Sequence, residues 1–196
     1  FVWPEDRTNW VIETTGNNIY ASDATFTAFD GEKGLKVWGQ YDGTYPNNTP
    51  VYQGYTLVDH GLEPGTMVSI DGMMMSHEDD WIGQGNNVAY LFISFFDESW
   101  NMIHSDFSNY IDADQPASTW QFYRAISQVP EGATYMNAGV ELWQESDQDH
   151  GSVYFDNIRM SLPILDSDHE VSYHDIAEAM VRQGVGLADL EWTVYA

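Results

Sequence analysis

Val88-Ala89-Tyr90-Leu91-Phe92-Ile93-Ser94-Phe95-Phe96 is the stretch of sequence that decides the fold. β-Branched and aromatic residues dominate it, and such residues favour extended strands. The alternation of a strand places Leu91, Ile93 and Phe95 on one face and the remaining, largely aromatic, side chains on the other. Because both faces are apolar, we predict a central strand that is covered on both sides and that ends at Asp97-Glu98-Ser99.

Shorter segments of the same kind lie on both sides of this strand, separated by Gly, Pro, Asn and Asp. No helical periodicity interrupts the first 160 residues, which argues against a parallel sheet with crossover helices. This spacing predicts an all-β protein, an antiparallel β-sandwich. Besides 88–96, the predicted strands cover residues 35–38, 51–58, 67–72, 120–125, 138–144 and 152–160.

A different pattern begins at Pro163. We predict a sandwich domain over residues 1–162 and a C-terminal extension over residues 163–196, made of an acidic connector, a short helix over 173–183 and a strand over 190–195. So small a helix-strand unit cannot be stable alone. It docks on the sandwich, pairs with a neighbouring subunit or begins a further domain, and the sequence leaves these three alternatives open.

The composition excludes several classes of partner. The 196 residues include 31 acidic and 6 basic side chains, a formal net charge of −25. Nucleic acids and anionic membrane surfaces both require Lys and Arg, so neither is expected as a partner. No apolar run approaches the length of a membrane span. The chain has no Cys and therefore no disulfide, which suits a bacterial exported protein, and we expect a secreted, extracellular location.

Five stretches are informative when taken together: Gly34-Leu35-Lys36-Val37, Pro64-Gly65-Thr66-Met67-Val68, the strand over 90–97, Trp120 with 129–133, and Gly151-Ser152-Val153-Tyr154-Phe155-Asp156-Asn157-Ile158. In this order and spacing they resemble the galactose-binding-like jelly roll of many carbohydrate-binding modules. The resemblance implies a non-catalytic module that binds a polysaccharide or other glycan. The same fold also occurs in adhesins, viral proteins and assembly subunits, so fold alone does not fix the function.

The resemblance also implies a structural calcium ion, Ca2+. Such modules hold it with a carboxylate near the first strand, a carboxylate on the last strand and backbone carbonyls, since calcium takes six to eight oxygen ligands. Asp156 matches the last-strand carboxylate, Glu5 lies near the expected first-strand position, and the turn after Asp30 would supply carbonyls and a side chain. The alternative is that Asp156 only forms hydrogen bonds to a neighbouring turn.

Candidate glycan-binding residues are aromatic side chains with polar neighbours. Sugars bind on flat aromatic faces, while amides and carboxylates fix their hydroxyl groups. Trp143 with Glu141 and Gln144 forms the strongest cluster, because alternation turns Trp143 and Glu141 away from the core. Trp81, beside a polar loop, and Tyr41 are further candidates, as is Trp100. The alternative for each Trp is ordinary packing in the core.

The sequence lacks the signatures of the common catalytic classes, including the Gly-x-Ser-x-Gly motif, the phosphate-binding loop and the zinc-protease motif. Pairs of carboxylates carry no weight, because 31 acidic residues guarantee chance pairs. We therefore predict a calcium-stabilised, non-catalytic carbohydrate-binding module. The alternative is a structural or adhesive subunit of an extracellular assembly (a virion, pilus or surface layer) that contacts its neighbours, as a homo-oligomer or filament, through residues 164–196. A polysaccharide-cleaving enzyme is a third reading.

Overall fold

A computed structural model describes residues 10–12, 21–24, 27–40 and 43–161 of the chain. In these residues ten strands form two antiparallel sheets of five strands each, which confirms the predicted antiparallel β-sandwich. Three short 3₁₀ turns lie over Leu57–His60, Glu78–Asp80 and Ile82–Gln84. The strands are β1 (Val11–Ile12), β2 (Ala21–Ala24), β3 (Gly34–Trp38), β4 (Asn47–Thr56), β5 (Met67–Met75), β6 (Val88–Phe96), β7 (Met102–Phe107), β8 (Gln121–Gln128), β9 (Tyr135–Gln144) and β10 (Ser152–Ser161).

The strand order differs from the order along the chain. The front sheet has the order β1-β4-β9-β6-β7, and the back sheet has the order β2-β3-β10-β5-β8. Strand β6 pairs with β9 over its whole length and with β7 over its second half. It is buried on both faces, with Leu91 fully buried on the inner face and Phe92 6 % exposed on the outer face. The prediction of a central, doubly covered strand is therefore confirmed.

The hydrophobic core lies between the two sheets. Leu91, Ile93 and Phe95 of β6 meet Leu35 and Val37 of β3 in one contiguous cluster of buried residues. Burial of one large apolar side chain contributes about 1.5–3 kcal/mol to folding. Because these side chains occupy every second position of their strands, they leave the alternate positions of the front sheet for an outer face.

The chain divides into two compact units, residues 1–163 and residues 164–196. The helix and the strand predicted for the C-terminal extension lie outside the described residues, as do Glu5 and Tyr41. Across the described ranges, no helix has the length and apolar character needed to cross a membrane.

Candidate functional site

The outer face of the front sheet collects aromatic and polar side chains. On β9, Glu141 and Trp143 lie on either side of the fully buried Leu142, so both point away from the core, in agreement with the predicted alternation. The register places Tyr90 of β6 and Pro50 of β4 directly opposite Glu141. Residues that are far apart in sequence therefore meet on three adjacent strands of one face.

Glu141 is fixed at the centre of this face by donors from both neighbouring strands. Its Oε1 accepts a hydrogen bond of 2.7 Å from the hydroxyl of Tyr90 and one of 3.0 Å from Nδ2 of Asn48. Burial and the negative charge of Glu141 raise the pKa of Tyr90, so the phenol stays a protonated donor throughout the physiological range. A carboxylate with a fixed orientation is suited to accept hydrogen bonds from the hydroxyl groups of a sugar.

Aromatic rings extend this face along the sheet. The rings of Tyr52 on β4 and Phe92 on β6 meet across Gly139 of β9, with centroids 6.3 Å apart. A Cβ atom on Gly139 would lie 2.2 Å from the carbonyl oxygen of Val51, so the backbones of β4 and β9 leave no room for a side chain at this position. The absence of a side chain there allows the two rings to meet.

The aromatic surface continues toward the β7 edge of the front sheet. Phe107 and Tyr110 pack on Tyr90 with centroid distances of 5.1 Å and 5.3 Å, and each is nearly half exposed. Such rings offer apolar faces to a pyranose while keeping water-accessible edges. At the other side of Glu141, the indole Nε1 of Trp143 donates to a carboxylate oxygen of Glu145 at 3.0 Å. This hydrogen bond ties the indole to the loop that follows β9.

Gln144 does not share this face, which corrects the expectation that it forms one cluster with Trp143. Successive residues of a strand point to opposite sides. Gln144 is fully buried, its Nε2 donates to the backbone carbonyl of Asp149, and its side chain packs directly on Gly39. It closes the end of the sandwich and offers no surface to a ligand on the outer face.

Trp81 also lies away from this face. Its indole packs against the main hydrophobic cluster and stands so close to Gly83 that a Cβ there would be 2.4 Å from the ring. The surrounding loop docks on the loop after β9, where the backbone N–H of Asn86 donates to the buried carboxylate of Asp149. Trp81 is partly buried and packs against the core, in line with the packing alternative.

Several members of the face were not among the sequence candidates, namely Asn48, Tyr52, Tyr90, Phe107 and Tyr110. Only the alternation of residues 88–96 gave a signal, because it turned Tyr90 and Phe92 away from the core set. The partners of Glu141 depend on which strands are neighbours and in what register. Neither property can be read from one sequence.

Asp156 of β10 is fully buried and binds the turn before β3. Its Oδ2 accepts hydrogen bonds from the backbone N–H groups of Phe29 and Asp30, at 2.7 Å and 3.0 Å, and its Oδ1 accepts one from Asn157. An irregularity in the pairing of β10 with β5 begins at Asp156, and such bulges re-aim side chains. This is the arrangement expected from the turn-binding alternative.

The same carboxylate fits a calcium site in its chemistry, since it is a buried hard-oxygen donor beside an acidic turn. The described residues supply only part of a ligand set. The Asp30 side chain is exposed and accepts from the backbone N–H of Gly31, and Glu5 lies outside the described residues. Within the described ranges, no three His, Asp or Glu side chains group as a metal site. The remaining oxygens would have to come from backbone carbonyls and from other residues.

His104, Asp106 and Ser127 have the residue types of a hydrolase triad, but their hydrogen bonds connect them in a different order. His104 Nε2 lies 2.8 Å from Oδ2 of Asp106, and the hydroxyl of Ser127 donates to that same oxygen. In a nucleophilic triad the serine contacts the histidine, which removes its proton. Here Asp106 lies between the two and accepts from the serine itself, so the cluster does not have the order of a nucleophilic triad. It links the edge strands β7 and β8.

No protein-family model and no curated protein matches the sequence. Solved structures do match in fold. One is the xylan-binding CBM22-2 domain of Xyn10C from Paenibacillus barcinonensis, with a TM-score of 0.54 and 14 % identity over 79 % of this chain and 92 % of that one.

Two longer structures match over part of their length. One contains the CBM22-1 and GH10 modules of endo-1,4-beta-D-xylanase 10B from Clostridium thermocellum, complexed with xylohexaose, with a TM-score of 0.53, 14 % identity and 79 % and 26 % coverage of the two chains. The other is the enzymatically active domain of tailspike protein 4 from bacteriophage CBA120, with a TM-score of 0.51, 16 % identity and 81 % and 20 % coverage. The chain thus spans about a fifth to a quarter of these two structures. It shares the β-sandwich jelly-roll fold of carbohydrate-binding modules, which confirms the resemblance drawn from the sequence.

Proposed function

We propose that this protein is a non-catalytic module that binds a glycan chain on the outer face of its front sheet. The observation that carries the proposal is the position of Glu141, held by Tyr90 and Asn48 among exposed and half-buried aromatic rings. A fixed acceptor surrounded by apolar ring faces matches what sugar recognition needs.

A neutral glycan is the ligand class that the charge favours. The formal charge of −25 repels polyanionic polysaccharides. Neutral polymers escape this repulsion. Xylan is the first polymer to test, because the CBM22-2 domain that shares the fold is described as xylan-binding.

Affinity for soluble xylan and for xylohexaose, measured by calorimetry, tests the proposal. We expect Glu141→Ala to weaken binding by at least about tenfold, since loss of a charged hydrogen-bonding partner costs about 1.5–3 kcal/mol. Glu131→Gln is the matched control, because Glu131 is an exposed acid in the turn between β8 and β9. Failure of the wild-type protein to bind xylan, cellulose or mannan oligosaccharides would overturn the proposal.

We further propose that a calcium ion stabilises the module at Asp156 and that the protein acts outside the cell, where polysaccharides occur. The buried carboxylate at a bulge of the last strand and the acidic turn at Asp30 support the calcium site. The ion would hold the turn before β3 against β10. It would act on stability, since the glycan face belongs to the other sheet.

A further inference from the structure

The hairpin that joins β6 to β7 presents an exposed indole at its tip. The backbone N–H of Trp100 donates to the carbonyl of Asp97, and the N–H of Asp97 donates to the carbonyl of Asn101. The carboxylate of Asp97 accepts from the backbone N–H groups of Ser99 and Asn101 and from Nδ2 of Asn101. The turn is therefore held by its own hydrogen bonds, and the Trp100 side chain is not needed to close it.

Trp100 adopts a backbone conformation that its side chain disfavours. Its φ is 63°, in the left-handed region, where a bulky residue is an outlier and glycine is the usual choice in such hairpins. Its side chain is 56 % exposed. Strained conformations of this kind are retained where the side chain has a use.

The indole of Trp100 stacks on Tyr135, the first residue of β9. The ring centroids are 4.2 Å apart and the planes differ by only 5°, and Phe96 contacts the same indole at 5.7 Å. Tyr135 points to the outer face of the front sheet, two residues before Asn137 and six before Glu141. The stack therefore lies on the same face as the proposed glycan site, at the end of the face where β9 begins.

Packing against neighbouring rings does not by itself explain why a tryptophan occupies position 100. The gain from its ring contacts with Tyr135 and Phe96 is of the same order as the cost of a left-handed conformation for a non-glycine residue. Glycine at this position would avoid the cost and keep the turn. Tyr135 stacks on one face of the indole, and the residue remains more than half exposed, so ring surface is left for contact with a second planar or apolar group.

We propose that Trp100, backed by Tyr135, is a distal stacking platform for a sugar ring of the same glycan chain that binds at Glu141. Six residues of strand separate Tyr135 from Glu141, about 20 Å at roughly 3.3 Å per residue. A short oligosaccharide at Glu141 does not reach this far, whereas a longer chain lying along β9 does. This inference rests on the proposed function and adds a length preference to it.

The test compares xylotriose with xylohexaose in Trp100→Gly, a variant that removes the ring and also relieves the strain. We expect its affinity for xylohexaose to fall about five- to tenfold and its affinity for xylotriose to change less than about twofold. Ile126→Ala is the matched control, because Ile126 is an exposed apolar residue of β8 in the back sheet. The melting temperature of Trp100→Gly should equal or exceed that of the wild type.

Unchanged affinity for xylohexaose, or an equal loss for both sugars, would overturn the platform while leaving the site at Glu141 standing. Binding that survives Glu141→Ala, or a wild type that binds no xylan, cellulose or mannan oligosaccharide, would instead overturn the proposed function and the platform with it. Tyr135→Ala should also lose the length preference and retain xylotriose binding, because the indole loses the ring that supports it.

Discussion

The hydroxyl of Tyr90 on β6 lies 2.7 Å from Oε1 of Glu141 on β9, directly across the ladder that joins the two strands. The contact links the strand that decides the fold to the residue at the centre of the proposed glycan site. It makes the position of Glu141 depend on the register between two strands, because the two residues are 51 positions apart in sequence.

Tyr90→Phe should weaken both stability and glycan binding, because Glu141 then keeps only Asn48 of these two donors. A hydrogen bond to a charged group contributes about 1.5–3 kcal/mol, and partial exposure of the pair favours the lower end. A loss of about 1.5 kcal/mol corresponds to a fall in melting temperature of about 3–6 °C for a chain of this size.

Thermal unfolding and calorimetry on Tyr90→Phe, Glu141→Gln and the double variant give the coupling between the two residues. We expect a coupling energy of about 1 kcal/mol or more. Additive losses would show that the hydroxyl does not act through Glu141. Spectroscopic titration should also show that the pKa of Tyr90 falls in Glu141→Gln, since the carboxylate's charge is removed, yet stays above 10, since burial is the larger cause.

Gly139→Ala should destabilise the front sheet strongly. Its Cβ would lie 2.2 Å from the carbonyl oxygen of Val51 and 2.6 Å from the Cα of Tyr52, both backbone atoms that move only with β4. Overpacking of this kind typically costs about 1–3 kcal/mol and sometimes more. Urea denaturation measures it, with Gly54→Ala as the control, because a Cβ on Gly54 meets only a side-chain oxygen of Asn137, at 3.3 Å. Equal stability of the two variants would contradict the close approach of β4 and β9.

The antiparallel sandwich could be predicted from the sequence because the patterns that indicate its strands lie within short stretches of the chain. The alternation of side chains along 88–96 and 138–144 indicates which of them face the core, and turn residues mark the strand ends. The same alternation oriented Glu141 and Trp143 correctly. Gln144 was grouped with them through proximity in sequence, although the two-residue period of a strand places it on the opposite side.

The rest of the site depends on long-range information. That Asn48 and Tyr90 meet at Glu141 follows from β4 and β6 being neighbours of β9, which many topologies of the same strands would not produce. Trp81 shows that local sequence can also mislead. Its polar neighbours suggested a surface loop over a ligand, whereas contacts with the core and with the loop after β9 determine its position.

Removal of divalent ions should lower the melting temperature of the wild-type protein. Calcium that is present at a hundred times its dissociation constant stabilises a folded protein by about 2.7 kcal/mol. That corresponds to about 5–10 °C here. Thermal unfolding in EDTA, and then with calcium restored, measures the effect.

Asp156→Asn should lose the calcium response, and Asp59→Asn, at an exposed acid in the turn after β4, should keep it. A wild-type melting temperature that is the same in EDTA and in calcium would mean that the N–H groups of Phe29 and Asp30 alone hold the turn.

The hairpin that carries Trp100 should loosen in acid through Asp97. The hydrogen bond from the Asn101 side chain, followed by those from the backbone N–H groups of Asn101 and Ser99, lowers the pKa of Asp97 below its ordinary value of 3.8. Because the folded pKa is depressed, this contribution to stability is fully present above pH 3.8 and disappears as the pH falls through the lower folded value. Carbon-detected NMR titration of the carboxyl group measures it directly.

Asn101→Ala should raise the pKa of Asp97 toward 3.8 without reaching it, since the side-chain donor is lost and both backbone donors remain. Ser99→Ala keeps its N–H donor and should leave the pKa of Asp97 where it is in the wild type. If Asp97 titrates at 3.8 or above in the wild-type protein, the turn is not held by its carboxylate. The strained position of Trp100 would then need another support, and the platform proposed for the end of the glycan face would lose its rigid base.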